Sequence, residues 1–302
     1  MAISNRITVV GSSNTDMVIK TTRLPAPGES ILGGVFLMNP GGKGANQAVA
    51  AARLGGNVTL IAKTGDDIFG HQARQLFANE NINTNYLFTD KGNPSGVALI
   101  TVDEKGENCI VVAPGSNATL SIADIEHAAD EIKGSEFVLM QLEIPLETVE
   151  FVASLAFRAG KKVILNPAPA CKLPSNLMKM LHMITPNETE AELLCGIPIT
   201  NLTSAEKAAA SIHALGVQIV IITLGKRGAL VYQNNLAAHI PAPVVTAMDT
   251  TAAGDVFNGA LVTALAEGLA LNKAVEFANK AAAISVTRMG AQSSAPYRKE
   301  IV

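Results

Sequence analysis

The run DTTAAGDVFNGAL, Asp249–Leu261, sets three of the smallest side chains, Ala252, Ala253 and Gly254, directly before the carboxylate of Asp255, where an apolar helical pattern begins. With so little bulk in the way, backbone N–H groups at such a helix start approach an anion closely. A carboxylate in the same turn repels that anion unless a hydroxyl lies between them. The arrangement therefore suits a general base that takes a proton while phosphoryl charge develops beside it. The same residues also suit a plain helix cap, Asp after a glycine turn, and these thirteen residues by themselves leave both readings open.

A second glycine cluster, NPGGKGANQAVAAARLGG, spans Asn39–Gly56. It has neither the GxxxxGK[ST] spacing of a P-loop nor the GxGxxG of a dinucleotide fold. Gly42, Lys43 and Asn46 place a cation and an amide beside exposed backbone, a donor and acceptor mixture that suits a polyol; a Gly-rich turn with a solvated Lys is the other reading. Asn14 and Asp16 in GSSNTD lie two apart and point to one side if extended geometry continues. Glu143 follows EFVLMQL, Asn166 ends KKVILN, and Asn187 and Glu190 lie in ITPNETEAELL. All fall just past strand-like runs, where open α/β sheets bind ligands, although Asn and Asp are also ordinary turn formers. In VQIVIITLGKRGALVY, Thr223, Gly225 and Gly228 follow a buried run and precede a hairpin partner, which fits either a flat nucleotide surface or a simple turn.

These residues need a scaffold. Runs such as ITVVG, NVTLIA, EFVLMQL, KKVILN and VQIVIITLG alternate with Ala/Leu-rich helical stretches, the pattern of βα units. The expected fold is a doubly wound α/β core with a mostly parallel sheet flanked by helices, forming a single domain over residues 1–302. Two stretches break the rhythm, Met17–Asn39 and Ser95–Ala113, and read as strands of a small β-sheet lid over the ligand crevice. The hydrophobic fraction of 48% with 4% aromatics and no Trp fits aliphatic layers. A net charge of -3 without a basic block gives no reason to expect nucleic acid or a membrane surface as partner. No apolar leader and no 18-residue apolar run is seen. Cys109, Cys171 and Cys195 form no CxxC pair, so reduced thiols used for packing in a cytoplasmic protein are expected.

Taken together, GGKGAN, PNETE and DTTAAGDVFNGAL resemble the ribokinase family of sugar kinases, and GSSNTD, MQLEIPLETV, LNPAPA, ITLGKRGA and VTRMGAQSS extend the resemblance over essentially the whole chain. It implies transfer of the ATP γ-phosphoryl group to a sugar hydroxyl, O5 of D-ribose, with Asp255 as the base and the amides of Ala252, Ala253 and Gly254 as the anion hole. Asn14, Asp16, Gly42, Lys43, Asn46 and Glu143 correspond to the sugar ligands, and Asn187, Thr223, Gly225, Gly228, Gly254 and Asn279 to the nucleotide site. Glu190 corresponds to a residue that helps hold hydrated Mg²⁺. Asp249, Thr251, Ser285, Arg288, Gly290 and Ser294 correspond to a K⁺ site built largely from backbone oxygens, and the lid strands imply a homodimer. The chain departs from the family pattern at Asn279, where His is expected, and at Ser293, where Pro is frequent; a final helix is expected to be short or missing. Rival readings are a kinase of the same family for 2-deoxyribose, fructose or a nucleoside, and a sugar-binding protein without catalysis. Asn14 and Asp16 speak against the deoxy sugar, because a site built to hydrogen-bond a hydroxyl rejects the analogue lacking it.

Overall fold

The computed structural model describes residues 5–301. Along the chain lie β1 (Arg6–Val10), β2 (Asn14–Lys20), β3 (Val35–Gly41), α1 (Lys43–Arg53), β4 (Asn57–Gly65), α2 (Ile68–Asn79), β5 (Leu87–Asp90), β6 (Gly96–Val102) and β7 (Asn108–Ala113). Then come α3 (Ile122–His127), α4 (Ala129–Gly134), β8 (Phe137–Met140), α5 (Leu146–Arg158), β9 (Lys162–Leu165), α6 (Ser175–Met180), β10 (Met183–Ile184), α7 (Glu188–Cys195) and α8 (Leu202–Ala214). The chain continues through β11 (Ile219–Thr223), β12 (Ala229–Gln233), β13 (Leu236–Ile240), α9 (Ala253–Ala266) and α10 (Leu271–Ser285).

The large sheet runs β13-β12-β11-β10-β9-β8-β1-β4-β5. Its pairs are parallel from β5 to β11, and only the hairpin strands β12 and β13 are antiparallel. The Val/Ile-rich strands are buried on both faces, as a helix-covered parallel sheet demands. Successive residues divide between two cores: Val9, Leu60 and Leu139 pack with α1, α9 and α10, while Val10, Ile61 and Met140 pack with α5 and α8 on the other side.

The second sheet runs β3-β2-β6-β7, with a parallel central pair between antiparallel partners. Its first strand starts at Asn14, three residues before the lid stretch read from the sequence, because extended backbone continues almost directly out of β1. Asn14 and Asp16 therefore stand on the small sheet itself, on the same face. Pairing of Ile19 with Phe36, Met17 with Leu99 and Leu99 with Val111 puts these apolar residues on the opposite face. Ile19, Phe36, Leu99 and Val111 are exposed there, as is Cys109 of β7, which corrects the expectation that every cysteine packs in a core. The thiols of Cys171 and Cys195 are partly buried, and all three cysteines are unpaired.

Candidate active site

From β1 the chain fills one side of the large sheet with β4 and β5, then crosses to β8 on the other side. The strand order reverses at β1 and β8, and the turns leaving their carboxyl ends diverge into a crevice. Glu143, just past β8, lies at the N-terminus of α1, where the helix dipole favours a carboxylate. Its Oε2 accepts hydrogen bonds from Ser12 Oγ at 2.5 Å and from the Lys43 N–H at 3.0 Å. Asn14 Oδ1 accepts from Asn117 Nδ2 at 2.7 Å, and Asn117 Oδ1 accepts from the Ser13 N–H at 2.9 Å. The segment after β7 thus fixes the entry to the small sheet.

Asp16 lies beside Gly41 of β3, where an added methyl would overlap its carboxyl group. Burial, followed by the neighbouring Glu143 and Asp255 carboxylates, pushes the Asp16 pKa up to about 6 against the pull of Lys43. Lys43 opens α1, and its pKa is raised chiefly by Asp255, with burial opposing. Asp255, in the first turn of α9, is only 5% exposed. Its carboxylate accepts from Asn46 Nδ2 and from Gln47 Nε2, both at 2.9 Å. Burial raises its pKa, while Lys43, Asn46 and Gln47 work in the other direction. A carboxylate so placed has more affinity for a proton than one in water and is still braced as an anion, which suits a general base.

Ala252 caps α9 in the left-handed region, at φ 58°. A residue with a Cβ rarely sits there, and such strain gathers at functional turns. The Ala253 N–H turns to the Thr250 carbonyl at 3.3 Å, so of the three amides read as an anion hole this one is already engaged. The amides of Gly254 and Asp255 stand in the first turn, beyond reach of any intrahelical carbonyl.

On the far side of this turn opens a cavity of about 600 Å³, whose walls include Asn187, Thr223, Gly225, Gly228, Gly254 and Asn279 together with apolar Val244, Phe257, Ala282 and Val286. Size and lining suit a flat heterocycle with a polar tail. The Asn279 amide is not free on that wall: it donates to the Ile240 carbonyl at 3.0 Å, holding the end of β13. Asn187 and Glu190 form a reciprocal cap on α7, with Glu190 N donating to Asn187 Oδ1 at 2.8 Å and Asn187 N to Glu190 Oε2 at 2.8 Å. Burial raises the pKa of Glu190. Among the described residues no three His, Cys, Asp or Glu side chains cluster as a metal cage. Glu190 Oε1 also accepts from Asn187 Nδ2 at 2.9 Å, so both carboxylate oxygens are engaged and their remaining lone pairs suit contact with a cation through that cation's water.

The expected monovalent-cation residues meet at one loop pair. Asp249 Oδ1 accepts from the Thr251 N–H at 2.9 Å and Oδ2 from the Gly290 N–H at 2.8 Å, while the Asp249 N–H donates to the Val286 carbonyl at 3.1 Å. Burial opposes the Asp249 charge, but these hydrogen bonds outweigh it and hold the pKa below its ordinary value. Arg288 sends its guanidinium to Glu300 at 2.5 Å, and the hydroxyls of Ser285 and Ser294 donate to the carbonyls of Ala282 in α10 and of Ala291 in the loop beyond it. The Arg288 side chain, a cation paired with Glu300, leaves that residue only its backbone oxygen as a donor, whereas the Ser285 and Ser294 hydroxyls donate their hydrogens and keep oxygen lone pairs, and the ionised Asp249 adds negative charge. Sequence reading missed Ser12 and Asn117, because Ser and Asn in loops carry no mark of what they clasp. Gln47 lay inside a quoted motif, and only its burial against Asp255 gives it meaning.

The chain belongs to the pfkB family of carbohydrate kinases, whose model matches residues 4–298. It is 46% identical over 294 residues to a ribokinase of Haemophilus influenzae, covering 97% of this chain and 96% of that one. A deoxyribokinase of Salmonella typhi is 38% identical over 291 residues, covering 96% and 95%. A solved Arabidopsis thaliana ribokinase complexed with ribose and ATP superposes with a TM-score of 0.91 at 30% identity, covering 100% of this chain and 98% of that one. No helix among the described residues is long and apolar enough to cross a membrane.

Proposed function

We propose that the protein phosphorylates D-ribose at O5 with ATP as donor, Asp255 acting as general base. The observation that carries this reading is the position of the buried Asp255, in the helix turn that separates the 600 Å³ cavity from the Asn14, Asp16, Lys43, Asn46 and Glu143 cluster. A sugar held by that cluster presents a hydroxyl to the carboxylate, which takes its proton as the oxygen attacks the γ-phosphorus in line and the bond from that phosphorus to the β,γ-bridging oxygen breaks, releasing ADP. Charge developing on the transferred group faces the Gly254 and Asp255 amides, with the α9 dipole behind them. The apolar wall holds the base of the nucleotide.

Glu190 would hold hydrated Mg²⁺, which supplies charge neutralisation along the phosphates. Backbone oxygens near Asp249, Thr251, Ser285, Arg288, Gly290 and Ser294 would hold K⁺ and steady the Ala252 turn. The exposed outer face of the small sheet, a closing lid in this reading, pairs two copies into a homodimer. Three unpaired thiols suit the reducing cytoplasm.

The experiment is turnover of D-ribose, 2-deoxy-D-ribose, D-fructose and adenosine with ATP, each in K⁺ and in Na⁺. Preference for ribose with K⁺ activation is expected; preference for the deoxy sugar overturns the acceptor assignment. Asp255→Asn should lower kcat by about 10²- to 10⁴-fold while ribose still binds; near-normal turnover removes Asp255 as base.

A further inference from the structure

Gln47 is fully buried on α1 and touches the carboxylate through one hydrogen atom of its amide. Its Nε2 donates both to Asp255 Oδ1 at 2.9 Å and to Asn166 Oδ1 at 3.0 Å, and its Oε1 accepts from Gln141 Nε2 at 2.5 Å. The direction of this amide is forced. Asn166 Nδ2 donates at 3.1 Å to the Thr185 carbonyl, which can only accept, so Asn166 must turn its oxygen to Gln47. An ionised Asp255 likewise only accepts. Two acceptors thus face the Gln47 nitrogen, and its oxygen is left to Gln141.

The ring closes on the anion-hole side: Thr185 Oγ1 donates to Asn258 Oδ1 at 2.6 Å, and Asn258 Nδ2 donates to the Gly254 carbonyl at 2.8 Å. Two glycines make room for it. A methyl at Gly259 would press on the Gln47 backbone carbonyl, so this glycine lets α9 approach α1, and one at Gly11 would overlap the Gln141 amide oxygen. We infer that Gln47 is a positioning residue for the phosphoryl-transfer step, holding Asp255 in the orientation and ionisation state in which it accepts the proton of the sugar hydroxyl. The inference rests on Asp255 being the base.

Groups that bear on the Asp255 charge come from every side: Lys43 of α1, Asp16 of β2, Glu143 after β8 and Glu190 of α7. Lys43 favours the anion, as do the Asn46 and Gln47 amides; Asp16, Glu143 and Glu190 oppose it. Withdrawing the Gln47 donor therefore moves the acid limb of the kcat–pH profile to higher pH, a shift that a packing defect far from the carboxylate does not produce.

The test compares Gln47→Met, which fills the space without a donor, and Gln47→Asn, which withdraws the amide by one methylene, with the wild type and with Asp255→Asn. For both Gln47 variants we expect kcat at pH 7 to fall by about 10- to 100-fold, the acid limb to move upward, and KM for ATP to stay within about twofold. A folded Gln47 variant with wild-type kcat and acid limb overturns the inference. So does failure of both variants to fold, which would assign Gln47 to the core and not to the reaction. Near-normal turnover by Asp255→Asn instead overturns the underlying reading, whatever the Gln47 variants do.

Discussion

Asp16→Asn should make the protein more stable at neutral pH while weakening its hold on sugar. Asp16 shares a half-buried pocket with the Glu143 and Asp255 carboxylates and a single ammonium, Lys43, and its pKa rises from 3.8 to about 6. Between those two values the folded chain keeps a proton that the unfolded chain has lost. Stability from this group is therefore present below about pH 4, falls as pH rises toward 6, and is absent above it. A shift of about two units corresponds to about 3 kcal/mol. Asn cannot titrate and leaves no group without a partner, since the Asp16 carboxyl makes no hydrogen bond within the described residues; the shifts of Asp255 and Glu190 are common to both proteins and largely cancel. Urea unfolding of the two proteins at pH 4, 6 and 8 should give a stability difference near zero at pH 4 that grows to about 1–3 kcal/mol in favour of Asn at pH 8. At an m-value of about 3 kcal/mol/M, that moves the midpoint by up to about 1 M. A constant difference across pH, or a less stable variant at pH 8, would refute the argument that burial first, and the neighbouring carboxylates second, make the Asp16 charge costly in this pocket.

Gly41→Ala puts a methyl into the Asp16 carboxyl and should raise KM for the sugar by about tenfold or more with KM for ATP unchanged, as steady-state kinetics would register. An unchanged sugar KM would show that Asp16 does not work from this position. Light scattering after size exclusion should give a mass near twice 31.4 kDa, with Leu99→Lys shifting it toward the monomer; Leu99 is 55% exposed on the outer face of the small sheet, and a wild-type monomer at working concentration rules out pairing through that face.

Much of the candidate site could be picked out in the sequence because its residues lie in short contiguous segments. Ala252, Ala253, Gly254 and Asp255 are neighbours in one turn, so small side chains and a carboxylate at a helix start imply amides open to an anion, although the Ala253 amide turns instead to the Thr250 carbonyl. The βα alternation likewise determined the layered core, since strands buried on both faces must be apolar throughout. Tertiary structure alone decided the rest. Asn14 and Asp16 stand on the small sheet because the chain leaves β1 extended, and no local pattern sets that sheet's register. Gln47 and Asp255 are 208 residues apart in the chain, and their 2.9 Å hydrogen bond exists only because α1 and α9 pack closely. The Asp16 pKa is a property of four segments meeting in one pocket. Side-chain type and local spacing are written in the sequence. Burial, charge proximity and the direction of an amide arise only when distant segments exclude water from one another.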